Sequence, residues 1–279
     1  MSSPVLPMDP VTLSLDISAA KAAAEKVAAA YQSADPFPHA SFDNFLPSEI
    51  LDRVLEELEE LPAAERSFNR DQERFKASYN PERLQPYTRA LFHSLNSPAF
   101  LLFLEKMSGI PGLISDPYFI GGGIHVVGNG GHLDIHADFN QHNKLKIERR
   151  LNVLIYLNKD WREEYGGSFE LWNEGMREKT ASFVPTFNRM CCFSTTSDSW
   201  HGNPDPVKHP DGEPRRSIAL YYYTATWTDE KKEHTTLFRP RPNTDDKRDW
   251  SVARHQFVRD LIPPMLYRRI AGPLRRIGL

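Results

Sequence analysis

A short segment near the middle of the chain places a histidine and an aspartate on one side of the backbone. The segment is Leu133-Asp-Ile-His-Ala-Asp-Phe139, which we interpret as extended chain. Because side chains alternate between the two faces of extended chain, His136 and Asp138 point the same way. A second histidine, His201, comes at the end of a later apolar run. The pattern predicts a β-structure in which two strand ends bring two imidazoles and one carboxylate to a metal ion.

The types of donor indicate which metal this would be. Two histidines and one carboxylate are the facial triad of non-haem Fe(II) oxygenases, which leaves open positions on the metal. A zinc hydrolase can use the same donors, but no candidate general base lies beside these residues in the sequence. A cysteine-metal site is excluded because Cys191 and Cys192 are the only two cysteines. A His-x-Asp pair is common by chance, so the interpretation depends on the residues around it.

A strand rich in β-branched and aromatic residues follows His201, at Pro214–Thr224. Alternation places Arg215 and Ser217 on one face and Arg216 on the other. A guanidinium beside a hydroxyl suits a carboxylate, because arginine presents a planar fork of donors. The alternative interpretation is a pair of surface arginines that precede a strand.

These residues together resemble a known family. The candidate residues follow one another as they do in 2-oxoglutarate/Fe(II)-dependent oxygenases: His136-x-Asp138, then His201, then Arg215-x-Ser217. The stretch Leu154-Ile-Tyr-Leu-Asn-Lys-Asp-Trp161, followed by Gly166-Gly167, is similar to the prolyl 4-hydroxylase branch, which includes the hypoxia-sensing prolyl hydroxylases. The resemblance covers about residues 118–228.

The resemblance implies a role for each candidate residue. The implied iron ligands are His136, Asp138 and His201, and the implied contacts to the distal carboxylate of 2-oxoglutarate are Arg215, Ser217 and Tyr156. It also implies Fe(II) as cofactor, 2-oxoglutarate and O2 as co-substrates, and ascorbate as a supporting reductant. The expected reaction is hydroxylation of an unactivated C–H bond, with succinate and CO2 as co-products. Related halogenases have a small residue in place of Asp138, so the carboxylate favours hydroxylation.

Three alternatives remain open for function. The substrate is expected to be a prolyl or other amino-acid or peptidyl group. A hydroxylase of the same mechanism that acts on a small biosynthetic intermediate is the main alternative. A non-catalytic sensor that binds metal or 2-oxoglutarate is a third, although the Arg215-x-Ser217 pattern counts against it.

The predicted fold is mainly β with flanking helices, built on a double-stranded β-helix, or jelly roll, of about eight strands. The predicted strands include Leu151–Leu157, Ser168–Trp172, Phe183-Val184, Arg189–Ser194 and Pro214–Thr224. Asn129-Gly130 lies between two apolar stretches and predicts a hairpin turn that delivers His136 to the mouth of the barrel.

The flanks divide the chain into three predicted parts. Residues 1–35 form an N-terminal arm and helix, with 1–15 a loose arm. Residues 36–228 form the oxygenase domain, whose jelly-roll core covers about 118–228. Residues 229–279 form a C-terminal helical extension.

Helices are predicted over 16–32, 48–61, 86–95 and 97–107. The acidic residues of the second helix, Glu56, Glu57, Glu59 and Glu60, are expected on a solvated face. The charged stretch Arg66–Tyr79 lacks periodicity, and we interpret it as a surface loop, with a lid over the site as the alternative.

Four further histidines carry no ligand pattern. We interpret His39, His125 and His132 as structural. His142 lies in a predicted loop, where contact with a substrate is the less favoured alternative.

Charge and targeting signals limit the partners. A formal net charge of −3 over 279 residues provides no basic field for nucleic acid. Adjacent cysteines on a strand point to opposite faces, so no disulfide is expected, and a reducing compartment fits. No signal peptide or membrane span is predicted, and we expect a cytoplasmic protein. The basic tail over 267–279 is interpreted as a docked or frayed terminus, with contact to a membrane surface as the alternative. The oligomeric state is not predicted.

Overall fold

A computed structural model describes residues 3–228 and 230–248, which contain four α-helices and twelve strands. The helices are α1 (Ile17–Gln32), α2 (Ser48–Glu57), α3 (Pro86–Leu95) and α4 (Pro98–Ser108). The strands are β1 (His39–Phe42), β2 (Arg66–Arg70), β3 (Glu73–Tyr79), β4 (Ile114–Ser115), β5 (Gly123–Ala137), β6 (Glu148–Tyr156), β7 (Phe169–Trp172), β8 (Lys179–Phe183), β9 (Met190–Ser194), β10 (His201–Asn203), β11 (Arg215–Thr224) and β12 (Leu237–Phe238).

The strands form an antiparallel, nearly closed, barrel-like sheet in the order β1-β9-β6-β11-β5-β10-β7-β8. The long strand β5 joins the two halves of this path. Its first half pairs with β11, where Ala219 lies opposite Gly123, and its second half pairs with β10, where His201 lies opposite His136. The prediction of a mainly β fold with a jelly-roll core and flanking helices is confirmed.

The predicted hairpin at Asn129-Gly130 is wrong, because β5 runs through these residues without reversing. The Gly130 N–H donates to the Val207 carbonyl (2.8 Å), and the Val207 N–H donates to the Gly131 carbonyl (3.0 Å). A Cβ on Gly131 would lie 2.7 Å from the Gly128 carbonyl oxygen, so only glycine allows the strand to bulge here. Pairing with other strands outweighs the local turn signal.

The central strands β6 and β11 separate the core from the interior of the barrel. Leu151, Val153 and Ile155 are fully buried and pack in one cluster with the helices. The alternate residues of β6, such as Asn152 and Leu154, line the inner cavity. Burial of each large aliphatic side chain contributes about 1.5–3 kcal/mol to the stability of the fold. The outer face of the sheet therefore holds the helices in place, whereas the inner face carries polar groups of the cavity.

The helices begin and end close to where the sequence predicts. The Asp16 carboxylate accepts from the Ala19 N–H (2.8 Å) at the start of α1, and Gly109 ends α4 with φ of 73°. The Gln32 amide donates to the Met107 carbonyl (3.2 Å), which ties α1 to α4. The second helix differs, since α2 ends at Glu57 and continues as one 3₁₀ turn.

The expectation of a loose arm over 1–15 is wrong for the residues described. Leu6, Met8 and Leu13 are buried in the main core. The Leu6 N–H donates to the Phe45 carbonyl (2.8 Å). These apolar side chains, scattered between prolines, gain more from burial than the short segment loses in conformational freedom.

The interpretation of Arg66–Tyr79 as a loop is also wrong. The stretch forms the hairpin β2–β3, and β3 pairs with β5. Charged side chains of this hairpin face a polar cavity, so the apolar alternation that would have predicted strands is missing.

Residues after β11 return to the barrel. β12 pairs with β5, with Phe238 opposite His136, and the Arg241 guanidinium lies 2.9 Å from Asp205. The proposed division at residue 228 stays a prediction. The predicted C-terminal helix and the basic tail lie outside the described residues. Within the part of the chain that is described, no helix is both long and apolar enough to span a bilayer.

Candidate active site

The fold brings the predicted metal ligands together. Ligand atoms of His136, Asp138 and His201 all lie within 4.8 Å of one another. The His201 Nε2 is 3.2 Å from Asp138 Oδ2, and the His136 Nε2 is 3.6 Å from Asp138 Oδ1. The pairing of β5 with β10 produces this arrangement, because it places the two histidines directly opposite each other.

Backbone carbonyls orient both imidazoles. The Nδ1 of His136 lies 2.8 Å from the Asp134 carbonyl, and the Nδ1 of His201 lies 2.8 Å from the Ser199 carbonyl. A carbonyl only accepts, so each Nδ1 carries the proton and each Nε2 keeps a free lone pair toward Asp138. Burial and the nearby His136 lower the pKa of His201, which keeps its ring neutral, as a metal ligand must be.

Asp138 is an ionised carboxylate inside the barrel. Burial by itself would raise its pKa, but the positive charge of Arg149 opposes burial, and the pKa of Asp138 lies well below its usual range. The Arg149 Nη2 is 3.0 Å from Oδ2. The Asn152 amide donates to the same oxygen (2.7 Å).

A buried guanidinium lies in the same cavity, which has a volume of about 270 Å³. Arg215 is 4% exposed; its Nε donates to the Gly167 carbonyl (2.8 Å) and its Nη2 to the Tyr156 hydroxyl (3.4 Å). Among the described residues, no carboxylate lies within salt-bridge distance of it. Arg216 instead points outward and pairs with Glu213 (3.1 Å). An unpaired buried cation requires an anionic ligand.

Residues 122–249 match the family model described as the 2OG-Fe(II) oxygenase superfamily. The matched stretch is just under half of the chain and is similar to that superfamily. The prediction that the protein is a 2-oxoglutarate-dependent non-haem iron dioxygenase is confirmed. No curated protein sequence matches this chain.

Solved structures with the same fold include prolyl hydroxylases. A prolyl 4-hydroxylase from Phytophthora capsici is 17% identical, with a TM-score of 0.52, over 75% of this chain and 66% of that one. The chain thus spans just under two thirds of that structure. A prolyl hydroxylase from Trichoplax adhaerens, in complex with a hypoxia-inducible-factor peptide fragment, is 18% identical, with a TM-score of 0.53, over 74% and 91%. The carbocyclase SnoK from nogalamycin biosynthesis is 10% identical, with a TM-score of 0.50, over 77% and 87%.

In this oxygenase, strand register places the other predicted contacts around Arg215. Ser217 lies opposite Tyr156 on one side and opposite His125 on the other. Burial raises the pKa of the Tyr156 phenol, so the phenol stays protonated and donates or accepts as a neutral group. The structure therefore brings Arg215, Ser217 and Tyr156 onto one patch of the inner wall.

Two glycines make room for this patch. Gly167 has φ of 67°, and a Cβ there would lie 2.9 Å from the Arg215 Cδ. Gly166 has φ of 69°, and a Cβ there would lie 2.2 Å from the Pro206 carbonyl oxygen. The Gly-Gly pair therefore lets the backbone turn and pass directly against the guanidinium.

The remaining histidines lie outside the ligand set. His125 is buried beside the cavity and bonds to the Gly121 carbonyl (2.9 Å); burial and Lys76 hold its pKa well below the usual value. His132 and His39 also bond to backbone carbonyls. His142 is fully buried and donates to Asp116 (3.1 Å), away from the cavity wall, so the substrate-contact alternative finds no support.

Several residues of the oxygenase cavity are not predicted from the sequence. Glu73 is buried between Lys76 (2.9 Å) and Arg70 (3.4 Å) on the β2–β3 hairpin. The Phe238 ring lies 5.5 Å from the His136 ring. The Asn203 Nδ2 is buried on the cavity wall and has no hydrogen-bond partner among the residues that the structure describes. These side chains belong to distant parts of the chain, and no local sequence pattern predicts that they line the cavity.

Arg149 and Asn152 are also missed, although one signal was present. Asn152 interrupts the apolar run Leu151–Leu157, and a buried amide in such a run needs a partner. That partner is Asp138, which the alternation of β6 alone does not reveal.

Proposed function

We propose that this protein is an Fe(II)- and 2-oxoglutarate-dependent hydroxylase that acts on an unactivated C–H bond of a prolyl or other amino-acid or peptidyl substrate. Succinate and CO2 are the proposed co-products. The observation that carries the proposal is the presence, in one cavity, of the cluster of two histidines and an aspartate and of the Arg215 guanidinium without an acidic partner.

The chain's own residues fit the metal. We assign His136, Asp138 and His201 as the ligands. Both Nε2 atoms have free lone pairs, and the Asp138 carboxylate is ionised before any metal arrives. Two nitrogens and one oxygen suit Fe(II) and leave positions for other ligands.

The residues also fit 2-oxoglutarate. We assign Arg215, Ser217 and Tyr156 to the distal carboxylate. Arg215 remains charged although burial lowers its pKa, and its contacts are one carbonyl and one neutral phenol. A carboxylate would compensate this charge with a fork of hydrogen bonds. The orphaned Asn203 Nδ2 offers another donor on the same wall.

Iron and 2-oxoglutarate, when bound, would supply the oxidative decarboxylation that activates O2, and O2 would supply the oxygen atom for hydroxylation. The protein would orient the co-substrate and the metal ligands and exclude water from the cavity. Arg215 would fix one end of the co-substrate. The hydrogen bonds from the two histidine Nδ1 atoms to backbone carbonyls fix the ligand rings. Phe238 and the β2–β3 hairpin line the cavity around His136. Positioning of this kind prevents side reactions in a water-poor cavity.

The peptidyl assignment is supported by the stretch from Tyr156 to Trp161, which resembles prolyl 4-hydroxylases. A small-molecule substrate is the second candidate, because the carbocyclase SnoK from nogalamycin biosynthesis has a similar fold. The shared fold does not determine substrate.

The test is succinate formation by purified protein with Fe(II), ascorbate and 2-oxoglutarate. Wild type is compared with His136→Ala and Arg215→Ala, and Arg216→Ala serves as a matched control because its side chain pairs at the surface. We expect succinate from wild type and Arg216→Ala, none from His136→Ala, and a much higher 2-oxoglutarate requirement for Arg215→Ala. Absence of succinate, together with no 2-oxoglutarate-dependent absorption band on anaerobic Fe(II) addition, would refute the proposal.

The substrate class is tested separately. Proline-containing peptides, free amino acids and polycyclic or sugar-containing small molecules are each added to the same assay, and products are examined for the mass of one added oxygen atom. Hydroxylated peptide supports the peptidyl assignment, and oxidation of small molecules alone would replace it with the second candidate.

A further inference from the structure

Arg149 is a buried cation that contacts the proposed ligand Asp138. Its side chain is 1% exposed, and its Nη2 lies 3.0 Å from Asp138 Oδ2. Its Nε donates to the Asn152 Oδ1 (2.9 Å), and the Asn152 amide donates to the same Asp138 oxygen (2.7 Å). Arg149 therefore acts on Asp138 both through its charge and through Asn152.

Two aromatic rings hold the guanidinium in place. Its central carbon is 3.5 Å from the Tyr221 ring centroid and 4.4 Å from the Phe139 ring centroid. Such cation–π contacts fix the orientation of a desolvated guanidinium. Arg149 does not line the cavity, whereas Tyr221, Phe139 and Asp138 do. It is thus placed to act on the ligand carboxylate rather than on a substrate.

A fixed positive charge behind a metal-binding carboxylate has a definite electrostatic effect. It opposes any increase of positive charge on the metal, since like charges repel strongly in a water-poor interior. It also draws electron density from the carboxylate, and groups of this kind tune bound metals. Both effects favour Fe(II) over Fe(III).

We propose that Arg149 is a positioning residue that holds the Asp138 carboxylate through Asn152 and, by its charge, biases the bound iron toward the ferrous state. The inference rests on the proposed iron site and extends it, because the ferrous state is the one that the proposed reaction requires. A residue with a merely structural role would affect folding or metal occupancy but would not shift the reduction potential of iron that is bound.

The experiment measures the Fe(III)/Fe(II) potential of the iron-loaded full chain by anaerobic redox titration. The variants are Arg149→Met and Arg149→Gln, which remove the charge, and Arg149→Lys, which retains it. Asn152→Ala removes the bridging amide without a change of charge, and Arg216→Met removes a surface guanidinium. Circular dichroism and bound-iron analysis establish that each variant is folded and loaded; Arg149→Gln provides the measurement if the methionine variant does not fold.

For both neutral variants we expect the equilibrium to shift toward Fe(III) by about tenfold or more, which is about 59 mV for a one-electron couple. Oxidation of bound Fe(II) in air should be faster by a similar factor. Arg149→Lys should stay within about threefold of wild type, Asn152→Ala should shift less than the neutral variants, and Arg216→Met should not shift.

An unchanged potential in a folded, iron-loaded neutral variant would overturn the inference while leaving the proposed function intact. An equal shift in Arg149→Lys and Arg149→Met would also overturn it, since geometry rather than charge would then be responsible. Failure of the wild-type chain to bind Fe(II) would overturn the proposed function and this inference with it.

Discussion

The Nη2 of Arg215 lies 3.4 Å from the hydroxyl of Tyr156, and Arg215 lines the same cavity as His136, Asp138 and His201. Strand β11 carries Arg215, and its neighbour β6 carries Tyr156, so the two side chains meet across one ladder of the sheet. The pair supplies a cation and a hydroxyl to a cavity that charged side chains of the β2–β3 hairpin also line.

Replacement of Arg215 by glutamine should weaken 2-oxoglutarate binding. Hydrogen bonds to a charged group contribute about 1.5–3 kcal/mol, so we expect the dissociation constant to rise about 10- to 100-fold. Anaerobic titration of the Fe(II) protein with 2-oxoglutarate, followed by absorption or calorimetry, measures this. Arg216→Gln is the matched control and should bind as wild type does; equal affinities for both variants would contradict the assignment of Arg215.

Tyr156→Phe isolates the phenol from the ring. The ring packs with Phe169, Cys191 and Phe193, and phenylalanine keeps those contacts. Loss of one neutral hydrogen bond should raise the dissociation constant for 2-oxoglutarate about 2- to 10-fold. Burial raises the pKa of Tyr156, so the ratio of mutant to wild-type constants should not vary between about pH 6 and pH 8. If the mutation leaves the dissociation constant unchanged, the hydroxyl bonds only to Arg215 and does not contact 2-oxoglutarate.

Asp134→Asn should stabilise the metal-free protein in a pH-dependent way. Burial and the nearby Asp246 raise the pKa of Asp134 to about 6, from an ordinary value of 3.8. The folded protein therefore binds a proton more tightly than the unfolded chain, and this contribution to stability is complete below pH 3.8 and lost as the pH rises through about 6. Above that pH the ionised carboxylate destabilises the fold.

We accordingly expect Asp134→Asn to raise the melting temperature by roughly 2–4 °C at neutral pH and to have little effect near pH 3.8. Thermal unfolding of metal-free protein across this pH range measures the difference. Asp211→Asn, at an exposed turn, is the control. A gain that stays constant with pH would show that removal of the charge is not the cause.

Glu57→Ala should destabilise the fold, although the sequence placed this residue on a solvated face. Its carboxylate accepts from the Tyr87 N–H (3.1 Å), the Thr88 N–H (2.7 Å) and the Thr88 hydroxyl (2.6 Å), and so caps the first turn of α3. Loss of such a cap lowers the free energy of unfolding by about 1–2 kcal/mol. Urea unfolding measures it. The exposed neighbour Glu56, changed to alanine, should stay within about 0.5 kcal/mol of wild type.

Local sequence patterns were sufficient to predict the strands whose side chains alternate between the core and the cavity. In β11, Ser217 faces inward while Ile218 packs with the helices, as alternation predicts. Helices α1 and α4, which Asp16 and Ser97 cap, also begin close to where the sequence predicts, because a helix start depends on a few adjacent residues.

Local patterns failed where long-range pairing determined the backbone. Asn129-Gly130 has the composition of a turn, yet contacts with Val207 and β3 keep it within one strand. Arg66–Tyr79 has the composition of a loop, yet pairing with β5 makes it a hairpin. In both cases the backbone N–H and C=O groups bond to segments that are distant in the sequence, rather than within a local turn or to water.

The sequence by itself determined the main strands β6, β7, β9 and β11, the three candidate ligands and the Arg215 patch, because each depends on residue type and on alternation within one element. Only the tertiary structure decided which groups surround them. Arg149 reaches Asp138 because its N–H donates to the Asn140 carbonyl and so holds β6 against the segment that follows β5. Phe238 reaches His136 because β12 pairs with β5. Such contacts arise from the packing of distant elements, which no spacing along the chain encodes.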